Sequence, residues 1–109
     1  MTYEEIASMI RSIGVPYTYY QFNEGTGIAP PFICFYYESS NDLIADNVNY
    51  AKVENLIIEL YTKEKDFALE TLVGATLNAH EISYQRYESY IDSEKLYMNT
   101  FESEVYING

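Results

Sequence analysis

The stretch YAKVENLIIELYTKEKDF, Tyr50–Phe67, passes from a strand-like pattern to a helix-like one within a few residues, and the rest of the chain reads as cover for it. Leu56, Ile57, Ile58, Leu60 and Tyr61 make a nearly continuous apolar block. A block this short cannot span a bilayer, and its β-branched content reads as a central strand buried on both faces. Thr62, Lys63, Glu64, Lys65 and Asp66 are polar, and beyond them apolar residues recur at helical spacing.

Downstream, a helix is predicted over Lys65–Ala79, with an apolar face of Leu69, Leu72, Val73, Thr76 and Leu77 widened by Phe67 and Ala68. His80 then falls near its negative pole. Two strand-like runs follow, Ile82–Ile91 and Lys95–Ile107, separated by Asp92-Ser93-Glu94, a separation of hairpin size. The second run puts Tyr97, Phe101, Val105 and Ile107 on one face, with Asn99 and Ser103 interrupting.

Upstream, Thr2 and Glu5 form a capping-box pattern ahead of Ile6, Met9, Ile10 and Ile13, which predicts a helix over Thr2–Ile13 closed by Gly14 and Pro16. Tyr17–Phe22 and Phe32–Glu38 read as strands, and Asn23–Pro31, with two glycines and two prolines, as a loop. Ser39–Asn49 reads as a long polar loop that nonetheless carries Leu43, Ile44 and Val48, the kind of loop in which binding residues concentrate. The expected fold is one α+β domain over residues 1–109: an antiparallel sheet of about five strands with two helices packed on one face, in the order α-β-β-β-α-β-β.

Charge narrows the function. Seventeen acidic residues against six basic ones give a formal charge of -11, so the surface should repel phosphate backbones and anionic headgroups. Sequence-specific nucleic-acid reading and membrane binding are therefore disfavoured, whereas a wall that DNA slides past without sticking would suit. MTYEEIASMI lacks the pattern of a secretion signal, and the one cysteine, Cys34, allows no intrachain disulfide, so a cytosolic origin is expected.

Sites for chemistry are few. Cys34 lies in the apolar run Phe32–Phe35 and has a single histidine, His80, as its only conceivable partner, so it reads as a small buried hydrophobe. Gly25-Thr26-Gly27 lacks the Lys-Ser/Thr and helix start of a phosphate loop, and Pro30-Pro31 removes donors that a cradle would use. Asn41, Asp42, Asp46, Asn47 and Asn49 offer oxygens to a hard cation but not at EF-hand spacing, and read as a solvated acidic loop. Glu54 with Glu59, or Glu102 with Glu104, would be carboxylate pairs of the glycosidase kind, yet so acidic a chain forms such pairs by chance. The expectation is no enzyme, no cofactor and no metal. Thirteen tyrosines are harder to place in a core, because each buried hydroxyl wants a partner, and they point to contact surfaces between subunits.

Phe35-Tyr36-Tyr37 leading into Ala45-Asp46-Asn47 and Tyr50, the run Ile58-Glu59-Leu60-Tyr61-Thr62 with Lys65-Asp66, and the closing Tyr90–Tyr97 turn ending in Glu104-Val105 together resemble the small tail-completion proteins of long-tailed phages and Gram-positive prophages. These are the tail terminators and head-to-tail joining proteins. The resemblance implies a structural subunit of a ring, commonly a hexamer, that caps the head-proximal end of the tail tube and joins it to the head connector. It implies three partners: further copies of itself, the tail tube protein and the head-completion protein, with DNA passing the lumen unbound. It places the protein in the virion tail or neck after assembly in the host cytoplasm. On this reading Asp42, Leu43, Ile44, Asp46, Asn47 and Tyr50 are the expected contact to a neighbouring subunit or the tube. The alternative is a small acidic regulatory domain, or a DNA-mimic inhibitor, that binds a basic protein.

Overall fold

The computed structural model describes residues 1–22, 27–40, 42–45 and 48–108, and only the backbone of residues 43–45 and 48–51. Its elements are α1 (Tyr3–Arg11), β1 (Tyr17–Tyr19), β2 (Phe32–Ser40), β3 (Leu43–Ala45), β4 (Val48–Thr62), α2 (Phe67–Ala79), β5 (Tyr84–Ile91) and β6 (Leu96–Ile107). The sheet runs β1-β2-β4-β6-β5, with β3 added on β4. It is an α+β fold in the expected order, with β3 as an extra short strand.

Each boundary has a local cause. Thr2 accepts from the Glu5 N–H while the Glu5 carboxylate accepts from the Thr2 N–H, so the capping box is formed, and Gly14 at φ 93 ends the turn beyond α1. Asp66 caps α2 by accepting from the Leu69 N–H at 3.0 Å. Lys95 sits at φ 55, a left-handed conformation that belongs to the turn and delays the start of β6 to Leu96.

β4 is central as expected, and longer than its apolar block. Its partners on either side make three tiers that face the helices: Ile33, Leu60 and Asn99; Phe35, Ile58 and Phe101; Tyr37, Leu56 and Ser103. Ile6, Met9 and Ile10 of α1 and Val73 and Leu77 of α2 close over these tiers, so both helices lie on one side. Fully burying each such aliphatic chain stabilises the fold by roughly 1.5–3 kcal/mol relative to exposing it. Ile57 and Cys34 are also buried although they point to the other side, so β4 is enclosed on both faces at its middle.

Three expectations change in detail. β1 pairs with β2 in parallel, Tyr17 beside Ile33, whereas every other strand pair is antiparallel. Residues 20–31 between them give the long return that parallel pairing needs, where an antiparallel pair would take a tight turn. Ser39–Asn49 is mostly strand: Ser39 and Ser40 end β2, Leu43–Ala45 form β3, and Val48 and Asn49 begin β4. The β-branched Ile44 and Val48, read as loop anomalies, fit these pairing strands.

α2 is also turned from the expected face. Its buried stripe is Glu70, Val73, Gly74 and Leu77, while Phe67 and Leu72 are exposed, at 71% and 45%. Two features set the turn. A Cβ at Gly74 would run into the Tyr84 hydroxyl and come within 2.9 Å of its Cζ, so the missing side chain is what lets the helix settle on that ring. Glu70 points inward because Lys65 and Arg86 meet it there, at 2.5 and 3.6 Å. No helix among the described residues is long and apolar enough to cross a membrane.

Candidate assembly surface

Strand alternation divides the sheet into a helix-covered face and an open one. On the open face stand Cys34 and Tyr36 of β2, Ile57, Glu59 and Tyr61 of β4, and Thr100, Glu102 and Glu104 of β6. Among the described residues no helix covers them. Instead, aromatic rings pack on one another there: Phe32 stacks on Tyr61 with centroids 4.9 Å apart, Phe22 meets Phe32 edge-on at 5.4 Å, and Tyr20 tilts over Tyr36 at 5.3 Å. Tyr supplies a large apolar ring with a polar end, which suits a surface that is wet alone and dry when partnered.

Glu59 organises the middle of this face. Its two carboxylate oxygens accept from the Tyr36 hydroxyl at 3.2 Å and the Tyr61 hydroxyl at 2.9 Å. Burial, with Glu59 adding to it, pushes the Tyr36 hydroxyl up to about 12 and Tyr61 higher still, so both remain proton donors at any physiological pH. Cys34 lies beneath the same rings. Burial and then the Glu59 charge push its thiol up to about 11, which keeps it protonated and unreactive.

Two shallow clefts open on this face. One, of about 660 Å³, is lined by Tyr20, Phe22, Tyr36, Glu59 and Tyr61 among others. The other, of about 590 Å³, is lined by Glu38, Ile57, Glu81, Glu102, Glu104 and Tyr106 among others. The surface thus combines exposed rings with carboxylates. Of the candidate carboxylate pairs, Glu54 and Glu59 project to opposite faces of β4. Glu102 and Glu104 do share a face, as alternate residues of one strand. His80 ends α2 on the helix side and its Nδ1 lies 2.9 Å from the Thr76 carbonyl, so it does not meet Cys34 on the open side.

Of the expected contact residues, those described lie at the tip where β3 adds to β4. Asp42 accepts from the Val53 N–H at 3.1 Å, tying the tip to β4. Leu43 registers with Ala51 and Ile44 with Asn49, and Tyr50 lies within β4. The side chains of Leu43, Ile44 and Tyr50 lie outside the described residues, as do Asp46 and Asn47 entirely. Of the suggested cation ligands, Asn41, Asp46 and Asn47 are likewise outside them; among the described residues no group of three or more His, Cys, Asp or Glu is placed to hold a metal.

No family model matches the chain, and no curated protein matches it. A search of solved structures matches it to a chain in the virion of a native gene transfer agent (GTA) particle, with a TM-score of 0.65 and 12% sequence identity over 94% of this chain and 86% of that one. The likeness is one of fold.

Within that shared fold, the exposed surface of this chain is marked by rings. Tyr3, Tyr19, Tyr20, Tyr87, Tyr90 and Tyr106 are all exposed. The sequence signalled this by its tyrosine count. It did not signal the exposure of Phe67 and Leu72, whose spacing fits a core-facing stripe as well as the one used. Lys65 partly shields Phe67, with its Nζ 4.7 Å from the ring centroid.

Proposed function

We propose that the chain is a structural subunit of a virion, and that within it the chain forms a ring, of six copies, at the head-proximal end of the tail tube. The observation that carries the virion reading is the fold shared with a chain of the gene transfer agent virion across almost the whole length of both. The ring and its place at the tail tube rest on the resemblance to tail-completion proteins. The role is structural and not catalytic, and the partners are further copies of the chain, the tail tube and the head-completion protein.

The surface supports such a role in two ways. Its exposed tyrosines and the two clefts of the open face give rigid, amphipathic contact area at low conformational cost. Its charge of -11 would keep DNA in the lumen from adhering. Ring closure needs two different patches that meet head to tail. Asp42, Leu43, Ile44, Asp46, Asn47 and Tyr50 are the residues assigned to the contact with the neighbour or the tube.

The test is to mix the purified protein with assembled tail tubes of the same particle and view the mixture by electron microscopy. Caps at one end of the tubes, or free rings, are expected. A protein that leaves tubes bare and forms no ring would overturn the tail-ring reading, and affinity capture with basic proteins would then examine the inhibitor alternative.

A further inference from the structure

β5 is the last strand on its side of the sheet, and among the described residues nothing pairs with its outer backbone. Such an edge is a template for another strand, and proteins blunt edges with charged side chains, Pro, bulges or shortness. The opposite edge is blunted in this way: β1 has three residues, begins just after Pro16 and stops before Tyr20 at φ 71. β5 is neither short nor bulged, and its only charges, Arg86 and Glu88, are of opposite sign. It runs for eight residues, YQRYESYI, without Pro, Gly or Lys, in unbroken register with β6, and residues 85–90 are all exposed.

We propose that β5 pairs antiparallel with β5 of a second copy across a two-fold axis at Tyr87. In that register Arg86 faces the partner's Glu88, and Glu88 faces the partner's Arg86. Gln85 lies opposite the partner's Ser89, and the two Tyr87 rings meet at the axis. Directly opposed residues in an antiparallel pair share a face, so both ion pairs form on the helix side. The adjacent symmetric registers are worse, since centring on Arg86 sets two arginines against each other and centring on Glu88 sets two glutamates. The charge pattern therefore selects a single register as well as the partner.

Arg86 is free enough to take part: 43% of its side chain is exposed, and its guanidinium has five donors to share between Asn99, Glu70 and a new carboxylate. The contact is small, at the low end of specific interfaces, so the pair is concentration-dependent. A two-fold contact closes on itself, so it describes the free chain before assembly and neither needs nor supports the ring.

Light scattering over a concentration series tests the pair, with register-specific crosslinking beside it. The mass should rise from 12.7 kDa towards twice that value. Glu88→Arg should hold the protein monomeric, and the swap Arg86→Glu with Glu88→Arg should restore the rise. Because both residues also contact the Lys65–Glu70 cluster, cysteines on the opposite face give an independent readout. Tyr87→Cys should oxidise to a covalent dimer, whereas Ser89→Cys, which faces Gln85 and not itself, should not; buried Cys34 does not compete. A mass fixed at 12.7 kDa up to about 1 mM, the range of weak specific contacts, would overturn the proposal. So would equal crosslinking at the two positions.

Discussion

Gly74 and Tyr84 show how one absent side chain sets the position of an element. Alanine at position 74 would gain up to about 1 kcal/mol in helix propensity but overpack against the Tyr84 hydroxyl at about 1–3 kcal/mol. Gly74→Ala should therefore be destabilising by about 1 kcal/mol in urea unfolding, and adding Tyr84→Phe should recover most of the loss. A stabilised Gly74→Ala would mean that the ring moves aside freely. Glu88 carries a second prediction at this scale. The hydrogen bond from Lys65 holds its carboxyl below the ordinary range, and hydrogen bonds from Thr2 do the same for Glu5. A lowered folded value stabilises fully above the unfolded value of about 4.3 and is lost as pH falls through the folded one. The melting temperature should thus hold between pH 7 and 5 and drop below about 4. Glu88→Gln should flatten part of that drop, and an unchanged acid slope in the variant would place its origin elsewhere.

At the scale of elements, α2 is tied down by charge at its start and by apolar contact further along. Glu70 is 7% exposed and its cations Lys65 and Arg86 are 24% and 43% exposed, so breaking the pairing leaves cations that water can still reach. Glu70→Gln should cost about 1–2 kcal/mol, less than a fully buried pair, and should speed hydrogen exchange in α2 more than in β4. Uniform exchange in the variant would argue that α2 is not held at this point. The same helix shows where the sequence stops being legible. Capping at Thr2 and Asp66, the buried middle of β4 and the final hairpin follow from local pattern, because the residues that decide them are neighbours in the chain. The face of α2 depends on Arg86 and Tyr84 from a later strand, and helical spacing alone cannot tell Leu72 from Val73. The parallel placement of β1 was equally hidden, since short strands rich in Tyr fit either direction and the connection through residues 20–31 decides.

For the whole molecule, the hairpin tip and the open face divide the proposed contacts between them. The tip's sequence carries Leu43 and Ile44 away from the core tiers, on a strand that adds to β4 beyond the span where β2 pairs with it. The segment stood out as an odd mixture of apolar and polar residues; its strand pairing was not legible, because the turn-prone Asn and Asp residues dominate the local signal. If the tip contacts the tube or the next subunit, a charge placed there should stop assembly without loosening the fold. Ile44→Asp is read against its own melting temperature, and a value within a few degrees of the parent, a change of about 1 kcal/mol or less, shows that the fold is intact. It should abolish caps on tail tubes, because an uncompensated carboxylate would have to be desolvated in the contact. Tyr106→Asp, on the open face, separates the two surfaces: caps that survive it but not Ile44→Asp assign the essential contact to the tip. Caps formed as well by Ile44→Asp as by the parent would remove the tip from the contact and leave the tyrosine-lined open face as the assembly surface.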